Sequence, residues 1–143
     1  MSEQDNIRTA EKLFDDLNAH KLNRSADQYT ADYKLEGPGT PGPMPFEQSV
    51  AYLQGFLDAF PDLHFTLKQR IADGDNVALT WTATGTHSGP MRTSAGTMIP
   101  PTGKKGVTSG CTTYTFKGGK IASSATYWDM ASLLMQLGLM PNM

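Results

Sequence analysis

Among its 143 residues the sequence holds one cysteine, Cys111, and three histidines. A lone thiol cannot build an intrachain disulfide framework and fits a protein of the reducing cytoplasm. Cys111 falls in a strand pattern and reads as a small buried or interface residue. His20, His64 and His87 show no HExxH-like spacing, so no metal site is expected. An excess of charge is lacking too, with 12 basic against 14 acidic residues. Only Lys104-Lys105 stand side by side as basic neighbours, which argues against nucleic acid as a partner. No stretch approaches the ~20 apolar residues of a bilayer-crossing helix. The start Met-Ser-Glu-Gln-Asp leads into no apolar run, so neither a signal peptide nor a membrane partner is expected. There is no GxSxG and no evident Cys–His pairing to supply a covalent nucleophile. The length suits one domain, 1–143, with a real core.

What is present is a change of period along the chain. Ile7, Ala10, Leu13, Phe14 and Leu17 form the stripe of an amphipathic helix over 5–19, with Ser2 or Asp5 as its cap. His20 falls in a polar link and reads as surface. A second short helix is expected over 22–29 and a short strand over 33–36. Phe46, Val50, Leu53, Leu57 and Phe60 predict another helix, opened by Pro45 and ended before Pro61. From Asp62 the period becomes two. Leu63, Phe65 and Leu67, and then Val77, Leu79 and Trp81, alternate with polar neighbours across the turn Asp73-Gly74-Asp75-Asn76. Residues 87–106 form a long Gly-, Pro-, Thr- and Met-rich loop, the kind that serves as a lid. Strands over 107–116 and 121–128 flank the turn Lys117-Gly118-Gly119-Lys120, and a helix over 130–137 closes the chain. Helices ahead of a four-strand antiparallel meander indicate an α+β fold. It is a cone, with a curved, mostly antiparallel sheet wrapped by three N-terminal helices and a short C-terminal one.

Between the first short strand and the next helix, Gly37-Pro38-Gly39-Thr40-Pro41-Gly42 spells GxGxxG. That motif holds pyrophosphate through free backbone N–H groups at a helix start. Prolines remove several of those donors here and no parallel βαβ unit follows, so the segment reads as a stiff loop and no nucleotide cofactor is expected.

Chemistry is sought in the last strand. Counting by twos puts Ile121, Ser123, Ala125, Tyr127 and Asp129 on one face. With Ile121 inside, Asp129 enters the cone, provided no bulge intervenes. A carboxylate in an apolar pocket suits a general base; the competing reading of Asp129 is an N-cap for the helix that follows it. Tyr127, Trp81 and Tyr114 are expected around it as ligand contacts, with Leu53 and Phe56 from the second long helix. Glu36 is a candidate second acid, and His87 a donor to a substrate carbonyl. On the opposite face Thr80, Thr82, Thr84, Thr113, Thr115, Ser124, Thr126 and Trp128 carry little charge. Such a face often meets a second copy, so a homodimer through the outer sheet face is expected.

Several segments resemble the SnoaL-like polyketide cyclase (ester cyclase) family of the nuclear-transport-factor-two-like superfamily. They are Phe60-Pro61-Asp62-Leu63, the run from Trp81 to Gly89, Pro100-Pro101-Thr102-Gly103-Lys104, and Tyr127-Trp128-Asp129 followed by Gln136-Leu137-Gly138-Leu139. The resemblance covers nearly the whole chain and implies a cone-shaped fold, a dimeric or larger assembly and no cofactor. It also implies a role for Asp129, which matches the acid/base of intramolecular aldol closure in characterised cyclases. The chain departs from the family at Leu35-Glu36-Gly37-Pro38, where relatives often read Trp-His-Asp-Pro. Its loop over 91–99 is longer, and Ala125 replaces a common Trp. The expected function is therefore a cofactor-independent cyclase or isomerase acting on a small hydrophobic carbonyl compound. The alternatives are a non-catalytic binder of such a molecule and a hydrolase of the same fold.

Overall fold

A computed structural model of the chain describes residues 2–38, 40, 42–92 and 96–140. Parts of the expected Gly/Pro loop (39, 41) and of the long loop (93–95) lie outside the described residues. Helix α1 (Glu3–Asn18) opens on a capping box, in which Asp5 N–H donates to Ser2 Oγ at 3.0 Å and Ser2 N–H to Asp5 Oδ2 at 3.3 Å. Its stripe buries Ala10, Leu13 and Phe14 against the sheet. The helix ends on Asn18, whose side chain donates to Phe65 O (3.0 Å) and accepts from Phe65 N–H (2.8 Å), so it pins one strand directly. The second helix expected over 22–29 shrinks to a single 3-10 turn, Ala26–Gln28. The stretch it would occupy already bends back, with Lys21 N–H bonded to Asp16 O and Arg24 N–H to Lys21 O.

Strands β1 (Tyr29–Glu36) and β2 (Met44–Pro45) precede helix α2 (Phe46–Ala59). Then follow β3 (His64–Asp73), β4 (Asn76–Thr86), the two-residue strands β5 (Met91–Arg92) and β6 (Met98–Ile99), β7 (Lys105–Lys117), β8 (Lys120–Trp128) and helix α3 (Met130–Gln136). The main sheet has six strands in the order β2-β1-β8-β7-β4-β3. The expected meander β3-β4-β7-β8 is antiparallel throughout, while β1 adds to β8 in parallel. The sheet is mixed, mostly antiparallel and open. The long loop is partly ordered as a β5–β6 ribbon. Its ends are tied together by His87 N–H to Lys104 O and Gly103 N–H to His87 O.

The register shifts three times in the sheet, once in the β1–β8 pairing between Tyr29 and Lys34 and at two bulges that decide which side chains face the core. In β4 the alternation is unbroken, and Val77, Leu79, Trp81 and Ala83 are all buried. In β8 it is not. Thr115 pairs with Ser123 but the adjacent Phe116 pairs with Ile121, so Ala122 is an extra residue, a β-bulge. Beyond it every side chain changes face. Ile121 and Ser124 are buried, Trp128 joins the core, and Tyr127 is 61 % exposed. A second bulge at Lys68 does the same to β3, turning Ile71 outward. Just ahead of the bulge in β8, the β7–β8 hairpin closes through Gly118 (φ 60°) and Gly119 (φ 79°), the double positive φ of a type I′ turn.

Candidate functional site

The concave face of the sheet, α1 and α2 enclose a cavity of about 150 Å³. Leu13, Phe14 and Leu17 line it from α1, and Leu53, Phe56 and Leu57 from α2. Trp81, Tyr114 and Trp128 close it from the sheet, and Leu133 of α3 caps one side. Phe65 and Trp81 meet edge to face at 5.1 Å, and Phe56 and Trp128 at 5.5 Å. The walls are therefore rigid aromatic surface, suited to a flat apolar ligand.

The polar groups in this surface fall into two sets. In one, Trp81 Nε1–H donates to Thr112 Oγ1 at 3.0 Å, and Thr112 Oγ1 bonds Thr126 Oγ1 at 3.1 Å. These groups satisfy one another. The second set gathers Tyr29, Tyr33, Tyr114 and Asp16. Tyr33 Oη donates to Ser124 Oγ at 2.9 Å, and its ring meets that of Tyr29 at 4.6 Å. Tyr29 and Tyr114 line the cavity, and neither hydroxyl has a hydrogen-bond partner among the described residues. Burial pushes all three phenols up: Tyr33 to about 12, Tyr29 further, with the neighbouring Tyr33 and Asp16 adding to it, and Tyr114 well above the ordinary range. All three stay protonated at neutral pH and offer O–H donors. Asp16 is the single carboxylate among the lining residues, 4 % exposed, with Ser25 Oγ donating to its Oδ2 at 2.5 Å.

Of the side chains expected here, Trp81, Tyr114, Leu53 and Phe56 stand in the cavity wall. The bulge at Ala122 turns Asp129 and Tyr127 away from it, contrary to the parity count. The carboxylate of Asp129 is exposed and accepts from Ser132 N–H at 2.9 Å, as the N-cap of α3. The same bulge brings Ser124, Thr126 and Trp128, expected outside, into the lining. Glu36 is exposed on the outer sheet face, where it borders a depression with Lys34, Thr113 and Ser123.

His87 is fully buried but lies behind the wall, its ring 5.4 Å from that of Phe60. Its Nδ1 accepts from the backbone N–H of Thr102 (3.3 Å) and bonds Thr102 Oγ1 (3.0 Å). The proton therefore sits on Nε2, which is buried without a partner among the described residues. Burial holds the imidazole below its ordinary range, so the ring is neutral. Its contacts anchor the long loop.

Asp16, Tyr29 and Tyr33 escape the reading of the sequence. Asp16 flanks the apolar stripe of α1, one turn after Leu13, and Tyr29 and Tyr33 share a face of β1 four residues apart. Those spacings are the available signal. Among the described residues no group of three or more His, Cys, Asp and Glu is placed to hold a metal ion, and no helix is long and apolar enough to cross a membrane.

The sequence matches the family model of SnoaL-like polyketide cyclases over residues 8–137. No curated protein matches it in sequence. Among solved structures, AclR, a proposed hydroxylase from Streptomyces galilaeus, superposes with a TM-score of 0.84 at 25 % identity, covering 98 % of this chain and 100 % of its own. IdmH, a proposed polyketide cyclase from Streptomyces antibioticus, gives 0.76 at 27 % identity over 92 % of this chain and 96 % of its own. A proposed SnoaL-like polyketide cyclase from Jannaschia sp. CCS1 gives 0.84 at 21 % identity, over 97 % and 95 %.

Proposed function

The chain belongs to the SnoaL-like polyketide cyclase family, and from that membership together with its cavity we propose a cofactor-independent cyclase or isomerase acting on a small hydrophobic carbonyl compound. The observation that carries the reading is the pair of unpartnered, protonated hydroxyls of Tyr29 and Tyr114 in an otherwise apolar enclosure. Neither hydroxyl is held by a neighbour among the described residues, so each is free to donate to a ligand oxygen in the cavity. When the C–H proton beside a carbonyl is removed, the C–H electron pair forms a carbon–carbon double bond and negative charge moves to the oxygen. Donors fixed in a medium of low polarity favour that charge far more than water-exposed donors would. The enolate carbon then attacks a second carbonyl of the same molecule, a carbon–carbon bond closes the ring, and the new alkoxide takes the proton back. Nothing is oxidised or reduced, so no cofactor enters. Size sets a limit on the substrate. An apolar cavity of this volume accommodates about one aromatic ring, so a larger substrate must displace wall side chains or leave part of itself outside.

The test is a screen of aromatic β-keto esters for ring closure, followed by mass spectrometry and NMR. Turnover by the native protein should fall roughly a hundredfold or more in the Tyr29→Phe, Tyr114→Phe double variant, with ligand affinity little changed. Compounds that bind tightly but are never converted would reduce the protein to a binder.

The assembly expected from the sequence is retained as a proposal on a smaller face, because Thr84, Ser124, Thr126 and Trp128, expected outside, line the cavity. The outer face carries Thr80, Thr82, Thr113 and Thr115 with the exposed apolar side chains of Tyr127 and Ile71, and Lys34 and Glu36 of β1 border it, while Trp128 belongs to the cavity. A homodimer through this face would cover Tyr127 and the threonine rows.

A further inference from the structure

The cavity contains donors for a carbonyl oxygen, but the reaction also needs an acceptor for a C–H proton. Asp129 and Glu36 are exposed and outside the lining, and His87 lies behind the wall. Among the lining residues only Asp16 carries an acid or a base other than the tyrosines. We propose that Asp16, on helix α1, is the proton acceptor of this cavity, working on the same ketone whose oxygen Tyr29 and Tyr114 hold. The inference rests on the cyclase-type reading above.

The surroundings of Asp16 fit the task. Asp16 is buried, its side chain 6 % exposed, and rests in the last turn of a rigid helix. Its Oδ2 accepts from Ser25 Oγ at 2.5 Å, and its Oδ1 lies 3.5 Å from Nη1 of Arg24. An ionised carboxylate offers about four lone-pair sites; these contacts occupy two and leave acceptor capacity on both oxygens. Ser25 is itself buried, so the orientation of the carboxylate is set from inside the protein rather than by solvent. Tyr29 is close enough to feel the charge of Asp16, which puts the acceptor and one donor at the same end of the cavity. Stability alone does not account for this residue. A buried carboxylate paired with a half-exposed arginine contributes little net stability compared with apolar side chains of the same volume.

The step is a proton transfer. The carboxylate takes the proton from the carbon beside the carbonyl, the C–H pair becomes the enolate double bond, and the charge on oxygen meets the two tyrosine hydroxyls. Protonated Asp16 then returns the proton, to carbon in simple exchange or to the new alkoxide in ring closure.

The probe is phenylacetone, a ketone with a single aromatic ring that suits the cavity and with exchangeable C–H bonds beside its carbonyl. Its binding is read by quenching of tryptophan emission, since both tryptophans of the chain, Trp81 and Trp128, line the cavity. Exchange of its protons in D2O is followed by NMR. The native protein should accelerate exchange. Asp16→Asn should lower the acceleration roughly a hundredfold or more while binding changes only a few-fold, and Asp129→Asn should leave both unchanged. An Asp16→Asn protein that binds the ketone and exchanges it at the native rate overturns the role of Asp16 and leaves the cyclase-type reading standing. A native protein that binds without accelerating exchange, or fails to bind, overturns both. Ser25→Ala decides the matter if Asp16→Asn does not fold. It keeps the carboxylate but frees its Oδ2, and should lower exchange roughly tenfold, about one hydrogen bond's worth of positioning, at unchanged affinity. Exchange at the native rate in that variant counts against the assignment.

Discussion

Gly110 of β7 sits beneath Trp81, and replacing it with alanine should damage both the fold and the cavity. A Cβ built there falls 2.5 Å from Cζ2 of Trp81, 2.7 Å from its Cη2 and 2.6 Å from the carbonyl oxygen of Tyr127. The indole cannot simply swing away, because its Nε1–H is bonded to Thr112 and its ring packs edge to face with Phe65. The carbonyl belongs to β8 beside Trp128, the residue paired with Gly110, so relief there opens the β7–β8 ladder. Overpacking of this kind costs about 1–3 kcal/mol, and loss of the indole hydrogen bond adds about 1 kcal/mol. At roughly 4 °C per kcal/mol for a chain of this length, Gly110→Ala should melt roughly 8–16 °C lower. Calorimetry and urea unfolding measure the loss. Tryptophan emission should shift as Trp81 moves, and affinity for a flat apolar ligand should drop with it. Gly55 of α2 is the control, because a Cβ there meets nothing within 4 Å. Gly55→Ala should stabilise by about 0.5–1 kcal/mol, the usual gain at an open helical position. A Gly110→Ala protein within 1 kcal/mol of native by the calorimetric measure, with unshifted emission, would refute the account of how Trp81 is held.

Asp129→Ala should cost about 1 kcal/mol by removing the N-cap of α3, whereas Asp129→Asn should be nearly neutral in urea unfolding, because asparagine caps as well as aspartate. The buried neutral ring of His87 has its folded pKa below the unfolded value of 6.5. Its contribution is therefore complete above about pH 6.5 and is lost as the pH falls through the lower folded value. His87→Gln, which keeps an acceptor for Thr102 N–H, should flatten the fall in stability between pH 7.5 and 5.5, a window set by the histidine range, and equal slopes for both proteins would contradict this. Thr113→Lys on the outer face should shift the protein toward monomer in sedimentation at micromolar concentration, since it buries a charge without a partner; a native protein that sediments as a monomer would remove the proposed interface, which should otherwise exceed roughly 1,000 Å².

The parts of the fold that could be read in the sequence are those with an unbroken period. β4 alternates without interruption from Val77 to Gly85, α1 and α2 keep their stripes, and the Gly118-Gly119 turn fixes its hairpin locally. The helix expected over 22–29 fails for a non-local reason: the backbone and side chain of Asp16 hold Lys21 and Ser25 in a bend. The aromatic wall was equally legible, because Trp81, Tyr114, Leu53 and Phe56 belong to those regular elements. The acid was not. Parity carries a side chain's face along a strand only until an extra residue enters, and Ala122 has nothing in its own chemistry that marks it as extra. It becomes so because Phe116 and Ile121 pair across the strands on the core side while Thr115 and Ser123 pair outside. That one residue decides two surfaces together. It gives Trp128, Thr126 and Ser124 to the cavity, and it gives Tyr127 to the outer face, leaving Asp129 as a cap. The inside of the cone therefore loses the carboxylate at its C-terminal strand and has one on its first helix instead. The residues that meet Asp16, namely Arg24, Ser25 and Tyr29, come from a bend and a strand that reach it only through the tertiary fold.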